Sequence, residues 1–223
     1  MRAGNARYLK AGDLPGTVPV FPLTAALLLP AGRMPLNIFE PRYLAMVDDC
    51  LGGKRLVGMV QPSLDGATRG DGEPELCEVG CLGRITSFSE TGDGRYLISL
   101  HGICRFRVET ELAVRTPYRQ CRILPFLSDL DADAGADDVD RAALLKAFRA
   151  YLDANGLEAD WESVSRAENA TLVNALSMMA PYGPAEKQAL LEAPDFRSRA
   201  DTLIAITEMA IARDSDEPNS RLQ

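Results

Sequence analysis

The stretch that decides the fold runs from Pro19 to Tyr43 and reads PVFPLTAALLLPAGRMPLNIFEPRY. Its beginning, Val18 to Leu29, is an extended, β-like apolar run that Pro19 and Pro22 interrupt. Because proline has no N–H to give to a sheet ladder, this run predicts an edge or bulged strand, or two short strands. The end of the stretch predicts a helix that begins at Pro41, since proline at the first helical position loses no hydrogen bond.

The residues that follow predict one helix among several short strands. Tyr43, Leu44, Val47 and Leu51 repeat at helical spacing, and Gly52-Gly53 predicts the end of that helix. Thr91-Gly92-Asp93-Gly94 is typical of a tight hairpin turn, because Asp-Gly tolerates a positive φ. Short strands with frequent turns indicate a closed or partly closed barrel. The predicted strands are Leu56–Val60, Gly83–Glu90, Arg95–Leu100, Cys104–Glu109 and Tyr118–Phe126.

The pattern changes after the strands, where an acidic segment precedes a helical half. Ser128 to Asp138 is rich in Asp, Ala and Gly and predicts a solvated linker. The helices are predicted at Val139–Ala154, Glu162–Met179, Pro184–Glu192 and from Phe196 to about Ile211, the last capped by Asp195. The predicted organisation is a leader (1–17), a β-barrel subdomain (18–127), the linker (128–138), a helical bundle (139–213) and a flexible tail (214–223).

Composition excludes several classes of function. The chain has 223 residues, of which 46% are hydrophobic, and a net charge of −8. An acidic protein is poorly suited to bind nucleic acid or anionic membrane surfaces, which attract basic faces. The five cysteines are odd in number and lie among apolar neighbours, which favours reduced thiols. With no secretory leader apparent, the sequence predicts a cytoplasmic protein without nucleic-acid or membrane partners.

The residue types needed for catalysis or metal binding are sparse. His101 is the only histidine, and Cys104 lies three positions further along, which puts the two side chains on opposite faces of a strand. Cys77 and Cys81 have spacing suited to two zinc ligands, but no second pair completes a site. Gly52-Gly53-Lys54-Arg55 lacks the spacing of a phosphate-binding loop and its Ser/Thr. We therefore predict no catalytic residue, no cofactor and no metal.

Four segments, in the same order along the chain, resemble the Lon protease N-terminal domain family, and in particular its stand-alone bacterial branch. The first is the opening stretch, with Phe21-Pro22-Leu23 and Phe39-Glu40-Pro41-Arg42-Tyr43. The others are Glu78-Val79-Gly80 through Ile85, Asp93-Gly94-Arg95-Tyr96 through Gly102-x-x-Arg105-Phe106, and Glu186-Lys187-Gln188 through Glu192. Each motif is weak alone, and their common order over residues 18 to 211 carries the resemblance.

The resemblance implies an α+β fold, in which a PUA-like β-barrel with one inserted helix precedes a C-terminal α-helical bundle. It also implies a non-catalytic module that recognises unfolded or degron-bearing proteins, or that docks a cytosolic protease or chaperone. The ATPase and Ser–Lys protease motifs of full Lon proteases are missing from these residues. Neither the partner nor the oligomeric state follows from the sequence.

The binding residues nominated on the family motif are Met34, Phe39, Glu40, Arg42, Tyr43 and Arg105. Methionine suits adaptable surfaces because its side chain repacks easily, although helical methionines are more often core residues. The charges at Glu40, Arg42 and Arg105 form either the rim of a peptide groove or internal ion pairs, which buried charges require. Two other functions stay open: a small-molecule binder or minor enzyme in the barrel mouth, and a structural protein without a ligand.

Overall fold

The computed structural model describes residues 1–131 and 135–216, and side chains as far as residue 213. The strands are β1 (Arg2–Ala3), β2 (Ala6–Arg7), β3 (Thr17–Pro22), β4 (Arg33–Ile38), β5 (Leu56–Val60), β6 (Val79–Glu90), β7 (Tyr96–Glu111) and β8 (Gln120–Pro125). The helices are α1 (Pro41–Gly52), α2 (Arg141–Asn155), α3 (Trp161–Arg166), α4 (Asn169–Met179), α5 (Pro184–Glu192) and α6 (Phe196–Asp216). The content is mixed, with helices concentrated after the strands, as predicted.

The main sheet has six strands in the order β4-β7-β6-β5-β3-β8, and β8 also pairs with β7. Hydrogen-bonded pairing therefore runs from β7 through β6, β5, β3 and β8 back to β7. β4 lies outside this ring and pairs with β7 alone in the described part of the chain. Its other edge is free, and this position makes β4 the reference for the candidate site.

The prediction of an edge strand at Pro19 and Pro22 is wrong, because β3 lies inside the sheet. Thr17 to Pro19 pair with β8, whereas Val20 to Pro22 pair with β5. Each neighbour thus uses only half of β3. The changeover falls at Val20, which pairs with β5 and donates its N–H to the Arg119 carbonyl beside β8 at 2.9 Å, and the two prolines lie on either side of it.

The apolar segment Leu27 to Leu29, expected as part of a strand, is instead an irregular segment buried in the core. Glycines on the sheet make room for it. A Cβ on Gly102 would lie 2.0 Å from the carbonyl oxygen of Leu29, and one on Gly83 would lie 2.8 Å from the Leu28 side chain. The Gly-x-x-Arg segment of β7 therefore has a packing role at its glycine.

The strands predicted at Arg95–Leu100 and Cys104–Glu109 are one strand, β7, which spans 16 residues. It forms the predicted hairpin with β6, and Gly92 and Gly94 both have positive φ in the connecting turn. α1 begins at Pro41 as predicted, and Gly53 follows its last residue. β4 was not predicted, because Pro35 interrupts the alternation of Met34, Leu36 and Ile38.

Helices α2, α5 and α6 agree with the predicted ranges, but the helix predicted from Glu162 to Met179 is two. α3 ends at Arg166, Ala167 and Glu168 adopt extended backbone conformations, and α4 begins at Asn169. α6 packs on α2, α4 and α5, and α5 contacts β6. Polar contacts reinforce that junction, since Gln188 Nε2 donates to the Val79 carbonyl at 3.1 Å and Gln61 Nε2 to Gln188 Oε1 at 3.0 Å.

The predicted leader and the predicted linker both contain residues that are buried in the fold. The leader contains the β1–β2 hairpin, and Ala3 and Tyr8 are buried against the sheet rather than free. Asp129 departs from a solvated linker, because its carboxylate pairs with Arg105 and is almost wholly buried. The predicted flexible tail lies outside the residues whose side chains are described. No helix in residues 1–131 and 135–216 combines the length and apolar character needed to cross a membrane.

Candidate functional site

The free edge of β4 organises the candidate site. Met34 pairs with Leu100, Leu36 with Ile98, and Pro35 with Ser99. Because Pro35 has no N–H, its pair cannot be a hydrogen-bonded one, and the alternation of an antiparallel ladder then turns the backbone of Arg33, Pro35 and Asn37 outward. Proline at the middle of a free edge prevents a foreign strand from pairing along its full length.

Exposed apolar side chains mark the end of β4 nearest α1. Phe39 is 61% exposed and Leu97 is 48% exposed. Leu97 lies opposite Asn37 in the register, so strand alternation puts it on the face that Phe39 joins two residues later. The Arg95 guanidinium lies 5.9 Å from the centroid of the Phe39 ring. Large exposed apolar groups close together are characteristic of surfaces that bind other proteins.

The first turn of α1 holds three nominated residues together. Glu40 precedes the helix, and its carboxylate accepts from Arg42 Nε at 3.0 Å. The Arg42 guanidinium also reaches Glu73 at 3.5 Å and lies 4.7 Å from the Tyr43 ring centroid. Tyr43 itself is buried, makes an edge-on contact with Phe21, and has its pKa raised by burial.

A polar cleft of about 260 Å³ opens beside this turn. Its wall includes Arg69, Glu111 and Arg119, in which the Glu111 carboxylate accepts from both guanidinium groups. Arg119 donates further to the Pro74 carbonyl at 2.8 Å. The arginines and carboxylates around the cleft neutralise one another, so that it offers hydrogen bonds without a strong field of either sign.

The remaining nominated residues, Met34 and Arg105, lie in different places. Met34 is half-buried on β4 and packs on the core. Arg105 is 3% exposed, and its guanidinium donates to Asp129 at 2.8 and 2.9 Å and to the Leu191 carbonyl at 3.1 Å. It also donates to the carbonyls of Ala193 and Pro194. Arg105 therefore connects the sheet to the α5–α6 turn, away from the β4 edge.

The thiols of Cys81 and Cys104 and the imidazole of His101 are held in their neutral forms. Burial raises the pKa of the Cys104 thiol to about 12 and that of Cys81 well above its usual value, so both stay protonated at neutral pH. Burial, with the charge of Arg33, lowers the pKa of His101. Across the described residues, no group of three or more His, Cys, Asp and Glu side chains has an arrangement that would hold a metal ion.

Sequence reasoning missed two residues of interest near β4, Leu97 and Asn174, and it considered Met179 only as one of several adaptable methionines, with Met34 preferred for binding. Leu97 was interpreted only as one member of a strand alternation, because the sequence Tyr96-Leu97-Ile98 does not show which side of the strand faces solvent. Met179 is 82% exposed at the end of α4, and only the structure brings that helix end to β4. Asn174 was hidden for the same reason.

Comparison with known proteins gives one consistent result. The family model described as the ATP-dependent protease La (LON) substrate-binding domain matches residues 17–208. Lon protease 2 of Sorangium cellulosum is 29% identical over 219 residues, which are 93% of this chain and 26% of that protein. The Lon protease of Desulfosudis oleivorans is 32% identical over 97 residues, or 43% of this chain and 12% of that protein. The chain thus spans about a quarter or less of these curated relatives.

Two solved structures share the fold. The Lon N-terminal domain protein from Xanthomonas campestris superposes with a TM-score of 0.61 at 24% identity, covering 85% of this chain and 97% of that one. The N-terminal domain of the Mycobacterium avium complex Lon protease also gives a TM-score of 0.61, at 17% identity, over 86% of this chain and 98% of that one. The arrangement of strands followed by helices is therefore that of Lon N-terminal domains.

Proposed function

The chain belongs to the Lon substrate-binding domain family, and on that premise we propose that it is a non-catalytic module that binds unfolded or degron-bearing proteins. The observation that carries this proposal is the exposure of Phe39 beside Leu97 at the end of a strand with a free edge. Exposed aromatic and aliphatic groups bind apolar segments that folded proteins hide. The proposed setting is the cytoplasm, and binding needs no ATP.

The nominated residues divide into two proposed roles. We assign direct contact with the bound protein to Phe39, Glu40 and Arg42, at the end of β4 and in the first turn of α1. Met34 is half-buried against the core and is assigned a supporting role. Tyr43 and Arg105 are assigned supporting roles, because their side chains are buried. Tyr43 holds the Arg42 guanidinium in place, and Arg105 holds the helices against the sheet.

The proposed architecture follows from the strand pairing. We take the ring from β7 to β8 as a small PUA-like barrel, with β4 appended and α1 inserted, and α2–α6 as the helical bundle. Phe106, Leu82, Ile103 and Cys104 are all fully buried and fill the space that the ring encloses. A filled interior argues against the alternative function, a small molecule in the barrel mouth.

The binding experiment uses one protein in two states. Reduced and carboxymethylated α-lactalbumin, labelled with fluorescein, is titrated with this chain without nucleotide, and the change in anisotropy is recorded. Native α-lactalbumin with the same label is the matched control. We expect saturable binding of the unfolded form at tens of micromolar and none of the native form. No saturable binding of the unfolded form, or equal binding of both, would contradict the proposal.

A further inference from the structure

A second feature lies at the opposite end of β4 from Phe39. The backbone of Ala31 to Arg33 faces one side of α4, and the two enclose an open groove of about 290 Å³. Thr171, Ala175, Met178 and Met179 form the helical wall. The lining is mainly apolar, and its volume suits one or two large apolar side chains.

The methionines give this groove an adaptable wall. Met178 packs so closely on Gly32 that a Cβ there would lie 2.4 Å from its sulfur. Met179, one residue later, is 82% exposed. Flexible, polarisable side chains accommodate apolar groups of different shapes. A fixed floor at Gly32 and an exposed rim at Met179 therefore favour a ligand of variable sequence.

Asn174 supplies a polar group within the same lining. It is 9% exposed, and its Nδ2 donates to the Pro30 carbonyl at 2.8 Å. That bond fixes the orientation of the amide, because only the nitrogen can donate. Oδ1 is then a buried acceptor with no partner among the described residues. That oxygen is itself buried, so a ligand in the groove does not reach it, and Asn174 contributes by fixing the Pro30 segment against α4.

The backbone of β4 contributes the complementary groups. Ladder alternation turns the N–H and C=O of Arg33 away from β7, toward the free edge. Two residues later, Pro35 has no N–H to donate, so only a short length of foreign backbone pairs with β4 here. The mouth also carries Arg33 and Glu168, neither of which has an ion pair within the described part of the chain. One charge of each sign gives no preference for the net charge of the ligand.

We propose that this groove binds a short extended segment of polypeptide with a large apolar side chain. In this arrangement, the outward N–H and C=O of Arg33 pair with the backbone of the segment, and Met178 and Met179 enclose the apolar side chain. An unfolded chain presents unpaired backbone N–H and C=O groups together with exposed apolar side chains, and this groove offers a partner for both. This inference rests on the proposed function and gives it a second contact site, at the far end of β4.

Blocking variants test the groove directly. Thr171 is exposed on its wall, so Thr171→Trp fills the groove from outside without changing the core. Met179→Ser removes the rim. Met209→Ser, on α6, is the matched control, because Met209 is also exposed, at 50%, but lies in a different cavity. Binding of fluorescein-labelled, reduced and carboxymethylated α-lactalbumin is measured for each variant, after circular dichroism has shown that the fold is retained.

We expect Thr171→Trp to weaken binding about tenfold and Met179→Ser about fivefold, as loss of a buried apolar side chain contact would. Met209→Ser should bind as the parent does. Unchanged affinity of both groove variants would overturn this groove while leaving the proposed function intact. Absence of binding by the parent protein would instead remove the proposed function, and with it this inference.

Cross-linking gives an answer that does not depend on affinity. In a Cys77→Ser background, Thr171→Cys and Met209→Cys each carry a benzophenone, since the four other native cysteines are buried. Illumination with the unfolded α-lactalbumin should give a cross-linked product from position 171 and little from position 209. Products from position 209 alone, with binding intact, would place the contact elsewhere and overturn the groove.

Discussion

Arg105 is a cation with almost no contact with solvent, and the residues around it compensate for its burial. The bidentate contact with Asp129 neutralises the charge, and backbone carbonyls at the α5–α6 turn accept from the remaining N–H groups. Removal of one partner from such a pair leaves the other charge buried without compensation, which is far more costly than loss of the pair itself. The contact thus stabilises the structure without taking part in recognition.

We expect Arg105→Met to reduce the free energy of unfolding by about 3–5 kcal/mol, because the buried Asp129 carboxylate loses its guanidinium partner and keeps only the backbone N–H of residue 105, at 2.9 Å, and the more distant charge of Arg199. The double variant Arg105→Met/Asp129→Leu should recover part of that loss, since neither charge remains. Urea denaturation followed by circular dichroism measures both. A double variant less stable than the single one would contradict the role assigned to this pair.

Phe39 is the residue whose exposure has no structural benefit evident in the fold. Phe39→Ser should weaken binding of unfolded α-lactalbumin about tenfold, because a bound apolar segment loses its main aromatic contact. The free energy of unfolding of the Phe39→Ser variant should change little, because the Phe39 side chain is largely in solvent. Leu124→Ser is the matched control, since Leu124 is 51% exposed on β8. Equal effects of the two substitutions would show that the binding surface is elsewhere.

Among the elements, β7 depends on a residue without a side chain. Leu29 crosses it at Gly102, where a Cβ would lie 2.0 Å from a backbone oxygen. We expect Gly102→Ala to destabilise the protein by more than about 2 kcal/mol, because a backbone segment must move to relieve the overlap. Gly52→Ala is the control: it lies in the last turn of α1 with open space around it. Gly52→Ala should be neutral or slightly stabilising. Thermal denaturation measures both variants, and equal stability of the two would contradict the packing role of Gly102.

The elements predicted correctly are those whose signal is local. The turn at Gly92 and Gly94 requires positive φ, and Pro41 marks the start of α1, so neighbouring residues decide both. β4 and the buried Leu27–Leu29 segment depend on distant partners, β7 and the glycines across from them. No spacing within the chain reveals that Gly102 and Leu29 must meet. The break between α3 and α4 was missed because the apolar repeat continues across it.

The candidate site, like the fold, was predicted from the sequence only in part. Phe39, Glu40 and Arg42 were found from the family motif around the start of α1, and they lie together on the surface. Arg105 came from the same reasoning, yet its burial depends on Asp129 and on the α5–α6 turn, which are distant in sequence. Asn174 and Met179 acquire meaning only when α4 is placed beside β4. Motifs therefore locate one end of the surface, and tertiary packing is needed to find the other.

At the scale of the whole molecule, the sheet and the helices share one core. Leu28 and Leu100 from the first part of the chain belong to the same buried cluster as Val173 on the helical side. Hydrogen bonds from the Arg105 guanidinium to the Leu191 and Pro194 carbonyls, and those of Gln188, cross the same boundary. Separation of the two parts would expose apolar surface and leave buried polar groups without partners.

We therefore expect the chain to unfold in one cooperative transition, although its sequence suggests two subdomains.

Two local probes distinguish one transition from two. Trp161 is the only tryptophan, and its ring contacts Phe148 on α2, so its fluorescence reports the helices. The buried thiols of Cys81 and Cys104 report the sheet, because burial and a raised pKa keep them unreactive until the strands separate. In a Cys77→Ser background, labelling and fluorescence should give the same urea midpoint. A helical transition that precedes thiol exposure would show that the helices unfold from an intact sheet, and that Arg105 and Gln188 do not couple the two parts.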